Sequence, residues 1–178
     1  MTVFISDNFL NKNIFQTLRS SIESSVDYSI FKHYNIWYNS FFSDNGDLDN
    51  IKQQYGVMWF FIIKQIQEYA LTVTNKKLIP YGLRYQATYA DPATYGTAKW
   101  HFDGSVRGKD LKDCYTSIIY CSTDNTENCG AYWATREHEY APLANRLILY
   151  SRDIEHAMTP PTVKWDESRK ICLISWST

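Results

Sequence analysis

The sequence predicts a mainly β domain, a β-sandwich or jelly roll, with helices near its start buttressing one face. Three observations carry that expectation. Residues 1–80 hold apolar residues at helical spacing, whereas from Leu83 onward short apolar runs alternate with turn signals. Helices followed by many short strands is the order of a layered β fold with helical support, not of alternating βαβ units. Aromatic residues reach 16%, with 14 Tyr, 9 Phe and 6 Trp, a density suited to pleated, half-buried surfaces.

Taken in order, Val3-Phe4-Ile5 reads as a short strand, and Ser6-Asp7-Asn8 offers N-caps for a helix carrying Leu10, Ile14, Leu18 and Ile22. A polar loop at 43–47 follows. Helix signals resume near Asp49, and residues 58–73 place Phe61, Ile62, Ile66, Tyr69 and Ala70 on one side. The aromatics Trp37, Phe41, Trp59 and Phe60 are expected in the helical core. Expected strands cover 83–89, 98–102, 115–121, 131–134, 145–150 and 169–176, separated by breaks such as Asp91-Pro92, Asn128-Cys129-Gly130 and Pro160-Pro161. No repeat or Pro/Gly linker divides the 178 residues, so one domain is expected, with 1–80 as helical support and 81–178 as the β core.

The net charge is −1 with both signs interspersed, and no basic stripe is available to neutralise phosphates, which argues against nucleic acid as a partner. The start, MTVFISDNFLNKN, lacks the basic and apolar regions of a signal peptide, and the most apolar run, from Val57 to Ile63, is too short for a bilayer. A soluble, cytoplasmic protein without membrane contacts is the expectation. Cys114, Cys121, Cys129 and Cys172 form no CxxC pair and are read as reduced, buried thiols.

Chemistry concentrates at Trp100-His101-Phe102-Asp103-Gly104. Residues two apart on an extended strand point the same way, so His101 and Asp103 can reach one point while Phe102 faces away. A third ligand should return from a distant strand, and His156 follows the apolar run Leu147-Ile148-Leu149-Tyr150. Two imidazoles and one carboxylate make a facial triad that leaves metal positions open, the pattern of non-haem Fe(II) oxygenases. His33 and His138 are read as ordinary polar residues, and Trp100 and Trp176 as wall or core.

Beyond the triad, the order of residues from Leu83 to Trp176 resembles the 2-oxoglutarate-dependent Fe(II) oxygenases, particularly their prolyl-hydroxylase-like branch. The matching residues are Arg84-Tyr85 and Tyr89, then His101-Phe102-Asp103, Thr116-Ser117-Ile118-Ile119-Tyr120, Gly130-Ala131, Pro142, Tyr150, His156 with Pro160 after it, and a cation before Trp176. The opening, from Val3 to Leu10, also looks like that branch. The resemblance implies a double-stranded β-helix (jelly-roll) core of two antiparallel sheets, with His101, Asp103 and His156 as iron ligands. It also implies a cation that pairs with the distal carboxylate of 2-oxoglutarate. Arg169 fits by its fork geometry, Lys170 by sharing a face with Cys172 and Trp176, and both stay open. Tyr120, Tyr89 and Thr116 are the implied co-substrate contacts.

The implied activity is oxidation of an unactivated C–H with 2-oxoglutarate and O2, releasing succinate and CO2, with ascorbate as a further possible cofactor. The substrate would be a peptide residue, such as prolyl, or a small metabolite. Two other classes fit the same residues. A cupin-like metalloenzyme without 2-oxoglutarate predicts no buried cation facing the metal. A non-catalytic jelly-roll binding module predicts the two histidines far apart.

Overall fold

A computed structural model describes residues 2–25, 36–41, 47–88, 92–121, 130–163 and 169–178. Its elements run β1 (Val3–Ser6), α1 (Lys12–Ser25), β2 (Ile36–Phe41), α2 (Leu48–Tyr55), α3 (Val57–Thr74), β3 (Ile79–Thr88), α4 (Pro92–Tyr95), β4 (Cys114–Tyr120), β5 (Trp133–Ala134), β6 (Glu139–Tyr140), β7 (Leu147–Ser151), β8 (Ala157–Met158) and β9 (Arg169–Ser177).

The first helix starts later than the Ser6–Asn8 caps predict. Asn11 caps it, accepting from the Ile14 N–H at 2.9 Å. Phe9 and Leu10 are committed elsewhere: the Phe9 N–H donates to the Asn145 carbonyl, and the Asn145 side chain bonds both backbone groups of Leu10, at 2.9 and 2.7 Å. Those bonds compete with a helical turn for the same groups. Asp47 caps α2 through the Asp49 N–H, and Gly56, at φ 89°, makes the corner into α3. Along α3 the buried stripe is Trp59, Ile62, Ile63, Ile66 and Ala70, while Phe61 is 48% exposed. Ile62, Ile66 and Ala70 thus lie inward as expected and Tyr69 packs against the same core, while Phe61 turns outward. The opening run Val57 to Ile63 is apolar on every side and carries no phase of its own.

Residues 36–41, expected within the helical part, form a strand instead. β2 pairs antiparallel with β3 from Ile36↔Ala87 to Phe41↔Gly82. The expected strand at 98–102 is reduced to one bridge at His101.

Two antiparallel sheets result, one in the order β1-β7-β4-β9-β3-β2 and the other β6-β5-β8. Side chains alternate across the larger sheet, as its period of two requires. Ile119, Leu147, Leu149, Cys172, Ile174 and Trp176 join Leu18, Ile22, Ile62 and Ile66 in a core under the helices. Ile118, Tyr120, Ile148 and Tyr150 turn the other way and meet Trp133 and Ile154 in a second core between the sheets. That second face carries the site described next. No helix among the described residues is long and apolar enough to cross a membrane.

Candidate metal centre

His101 and His156 face each other across an antiparallel bridge, each N–H donating to the other's carbonyl at 3.0 Å. The pairing brings their rings to 4.5 Å between centroids. Each ring is also fixed from behind, His101 Nδ1 lying 3.0 Å from the Lys99 carbonyl and His156 Nδ1 3.0 Å from the Ile154 carbonyl. A carbonyl only accepts, so the proton sits on Nδ1 in both rings and the Nε2 lone pairs are left for a metal. Trp133 stacks on His156 at 5.3 Å and packs beside Tyr150. Burial is the leading influence on His156 and lowers its pKa below the usual 6.5, against the pull of the Ile154 carbonyl and Asp103. At neutral pH that imidazole is uncharged.

Asp103 completes the cluster. Its ligand atom and those of His101 and His156 all lie within 4.8 Å of one another. The Thr116 hydroxyl donates to Oδ2 at 2.8 Å and the Tyr150 hydroxyl to the same oxygen at 2.9 Å, while Oδ1 lies 3.9 Å from His156 Nε2. Burial pushes the Asp103 carboxyl up, yet His156, Arg152 and the two hydroxyls together outweigh it and hold the group below its ordinary value. Two imidazoles and an ionised carboxylate are the donor set a divalent transition metal takes.

Arg169 begins β9 on the face shared with Ile171 and Leu173, between the sheets, and is 3% exposed. Its guanidinium donates to the carbonyls of Ala131 and Gly130 and stands 5.9 Å from the Tyr120 ring. Burial drives the Tyr120 hydroxyl up to about 12, so it stays protonated. The carbonyl ledge depends on Gly130, at φ 68°, where a Cβ would meet the Pro160 oxygen at 2.5 Å. Lys170 does share a face with Cys172 and Trp176, but that is the face under the helices, where its amine lies 3.4 Å from Glu23 of α1. Thr116 bonds Asp103 and Arg152 within the cluster. Tyr89 lies outside the described residues, as do His33 and Cys129. Cys114, Cys121 and Cys172 are buried and unbridged.

No protein-family model and no curated protein matches this sequence. Solved structures do. A prolyl hydroxylase from Trichoplax adhaerens, in complex with a hypoxia inducible factor peptide fragment, superposes with a TM-score of 0.62 at 14% identity, over 98% of this chain and 83% of that one. The viral collagen prolyl hydroxylase of Paramecium Bursaria Chlorella virus-1 gives 0.60 at 13%, over 100% and 97%. HygX from Streptomyces hygroscopicus, with nickel and 2-oxoglutarate bound, gives 0.65 at 9%, over 98% and 82%. The fold is shared with the prolyl hydroxylases and related 2-oxoglutarate oxygenases.

Two side chains of the cluster escaped the sequence reading. Tyr150 entered as a matching residue without an assigned role, and Arg152 was not a candidate. Strand alternation held the missing signal, because Ile148, Tyr150 and Arg152 are spaced by two. A separate cavity of about 300 Å³ is lined by Val3, Phe102, His138, Tyr140, Ile154 and Glu155, and none of the three cluster residues lines it.

Proposed function

We propose that residues 1–178 form one Fe(II)- and 2-oxoglutarate-dependent oxygenase domain that hydroxylates an unactivated C–H bond. In this reading the two sheets are the halves of a double-stranded β-helix, 81–178 its core and 1–80 its helical support. The observation that carries it is a His-Asp-His cluster whose ligand atoms lie within 4.8 Å of one another, with a buried arginine on the same inner face. Iron and 2-oxoglutarate together supply the oxidising power, O2 being the oxidant and succinate and CO2 the co-products. His101, Asp103 and His156 hold the metal. Arg169 pairs with the distal carboxylate of 2-oxoglutarate, with the Tyr120 hydroxyl as a donor beside it, and Trp133 and Tyr150 wall the interior against water.

The buried Arg169 favours this reading over a cupin-like enzyme without 2-oxoglutarate, and the 4.5 Å between the histidine rings disfavours a non-catalytic module. His101 is exposed, so the cluster is open to solvent on that side. An open site supports a peptide residue as substrate over a small metabolite, which a closed pocket would favour. Anaerobic titration with Fe(II), followed by succinate release from 2-oxoglutarate in air, tests the proposal. The His101→Ala, His156→Ala double variant is expected to lose both. Wild-type iron affinity in that variant would sink it.

A further inference from the structure

We infer that Arg152 is a positioning residue of the metal centre, acting through Thr116 to hold the Asp103 carboxylate so that only one of its oxygens faces the two imidazoles. This rests on the metal-binding reading above. The guanidinium sits just past β7, four residues ahead of His156, and its side chain is 12% exposed. Each of its three nitrogens has a partner. Nε donates to Thr116 Oγ1 at 2.9 Å, Nη1 to the Gly104 carbonyl at 2.6 Å, and Nη2 to the Ser175 hydroxyl.

Direction is what makes the arrangement informative. A guanidinium can only donate, so the Thr116 oxygen must accept from it. The single hydroxyl proton is then turned toward Asp103 Oδ2, 2.8 Å away. The chain of bonds runs one way, from Arg152 through Thr116 to Asp103, each bond polarising the next. Tyr150 adds its own proton to the same oxygen at 2.9 Å. With both donors on Oδ2, the oxygen left for a metal is Oδ1, on the side of His156 Nε2 at 3.9 Å. A one-oxygen carboxylate takes one metal position instead of two, which matters where a chelating co-substrate needs adjacent positions. The Gly104 bond pins the chain immediately after Asp103, and the Ser175 bond anchors the same guanidinium to β9.

The alternative role, a nearby charge, has the opposite sign. Arg152 Nε lies 4.0 Å from Asp103 Oδ2. Its positive charge by itself disfavours a divalent cation, so neutralising it would tighten metal binding if charge were all it contributed. If it positions Asp103, neutralising it loosens binding.

Cobalt(II) is the probe, titrated into the metal-free full chain by calorimetry and by the visible absorption of the bound ion. Arg152→Gln and Thr116→Val are each expected to weaken binding by about tenfold or more and to alter the cobalt spectrum. Arg152→Lys, which keeps the charge and loses the fork, is expected to behave like Arg152→Gln. The Arg152→Gln, Thr116→Val double variant should be little worse than either single change, because the two act in series. Unchanged or tighter binding in Arg152→Gln overturns the inference, and so do effects that simply add in the double variant. Should Arg152→Gln fail to fold, Thr116→Val, of nearly equal volume, decides alone, and unchanged affinity there overturns it. A wild-type chain that does not bind cobalt(II) refutes the metal centre itself, a separate outcome.

Discussion

His156 sits where two demands conflict. As the proposed metal ligand it must be neutral, and its burial under Trp133 favours that form. In the metal-free protein the same burial makes the residue a liability in acid. The unfolded chain protonates this imidazole as the pH falls through about 6.5, whereas the folded chain does so only at lower pH. Between those values the unfolded state binds more protons, so acidification destabilises the fold. One such group contributes at most about 1.4 kcal/mol per pH unit. The carboxylate of Asp103 adds to the same trend only below its ordinary 3.8, well outside this window. Urea unfolding of the metal-free protein at pH 7, 6 and 5 should therefore show falling stability. His156→Gln should flatten the dependence by up to about 1 kcal/mol per unit. Equal slopes for the two proteins would show that His156 titrates normally.

At the scale of elements, the joint between β1, α1 and the start of β7 depends on Asn145. It is 8% exposed, stands at φ 61°, and bonds both the N–H and the carbonyl of Leu10. Asn145→Ala leaves two buried backbone groups without those partners and places Ala in a left-handed conformation. The expected cost is about 2–4 kcal/mol, read as a lower urea midpoint at unchanged m-value. A loss below about 0.5 kcal/mol would mean that water replaces the side chain. Nothing local announces that Asn145 reaches Leu10, and the same limit marks what sequence alone could tell. β4, β7 and β9 were legible because apolar, β-rich runs stand between clear breaks. β5 fell within the strand expected at 131–134, whereas the two-residue strands β6 and β8 are too short for any periodicity, and β2 lay hidden in a stretch whose aromatics also suit a helix. His101, Asp103 and His156 stood out through order and spacing. The Arg152–Thr116 link did not, because it depends on the register Thr116↔Tyr150 and Thr116↔Ser175 between strands distant in sequence. Arg169 and Lys170 differ by one residue, and on a strand one residue exchanges the faces.

Across the whole molecule, the cluster joins pieces that fold together only in the native state. The 101–104 segment, β4, the end of β7, His156 and β9 all contribute bonds to it. A ligand bound there but not by the unfolded chain stabilises by mass action, about 2.7 kcal/mol at a hundred times its Kd. For a chain of 178 residues that corresponds to a rise in Tm of about 5–10 °C. Manganese(II) at that excess should produce the rise in the wild-type chain and none in the His101→Ala, His156→Ala variant. Adding 2-oxoglutarate without O2 should raise Tm again, since its keto-acid end would meet the metal and its far carboxylate Arg169. Arg169→Ala should keep the first increment and lose the second. Lys170→Ala removes a half-exposed contact with Glu23 of α1, so it should cost less than about 1 kcal/mol and keep both increments. A second increment that survives Arg169→Ala but not Lys170→Ala would reverse the choice between these neighbours, and with it the face of β9 on which the co-substrate sits.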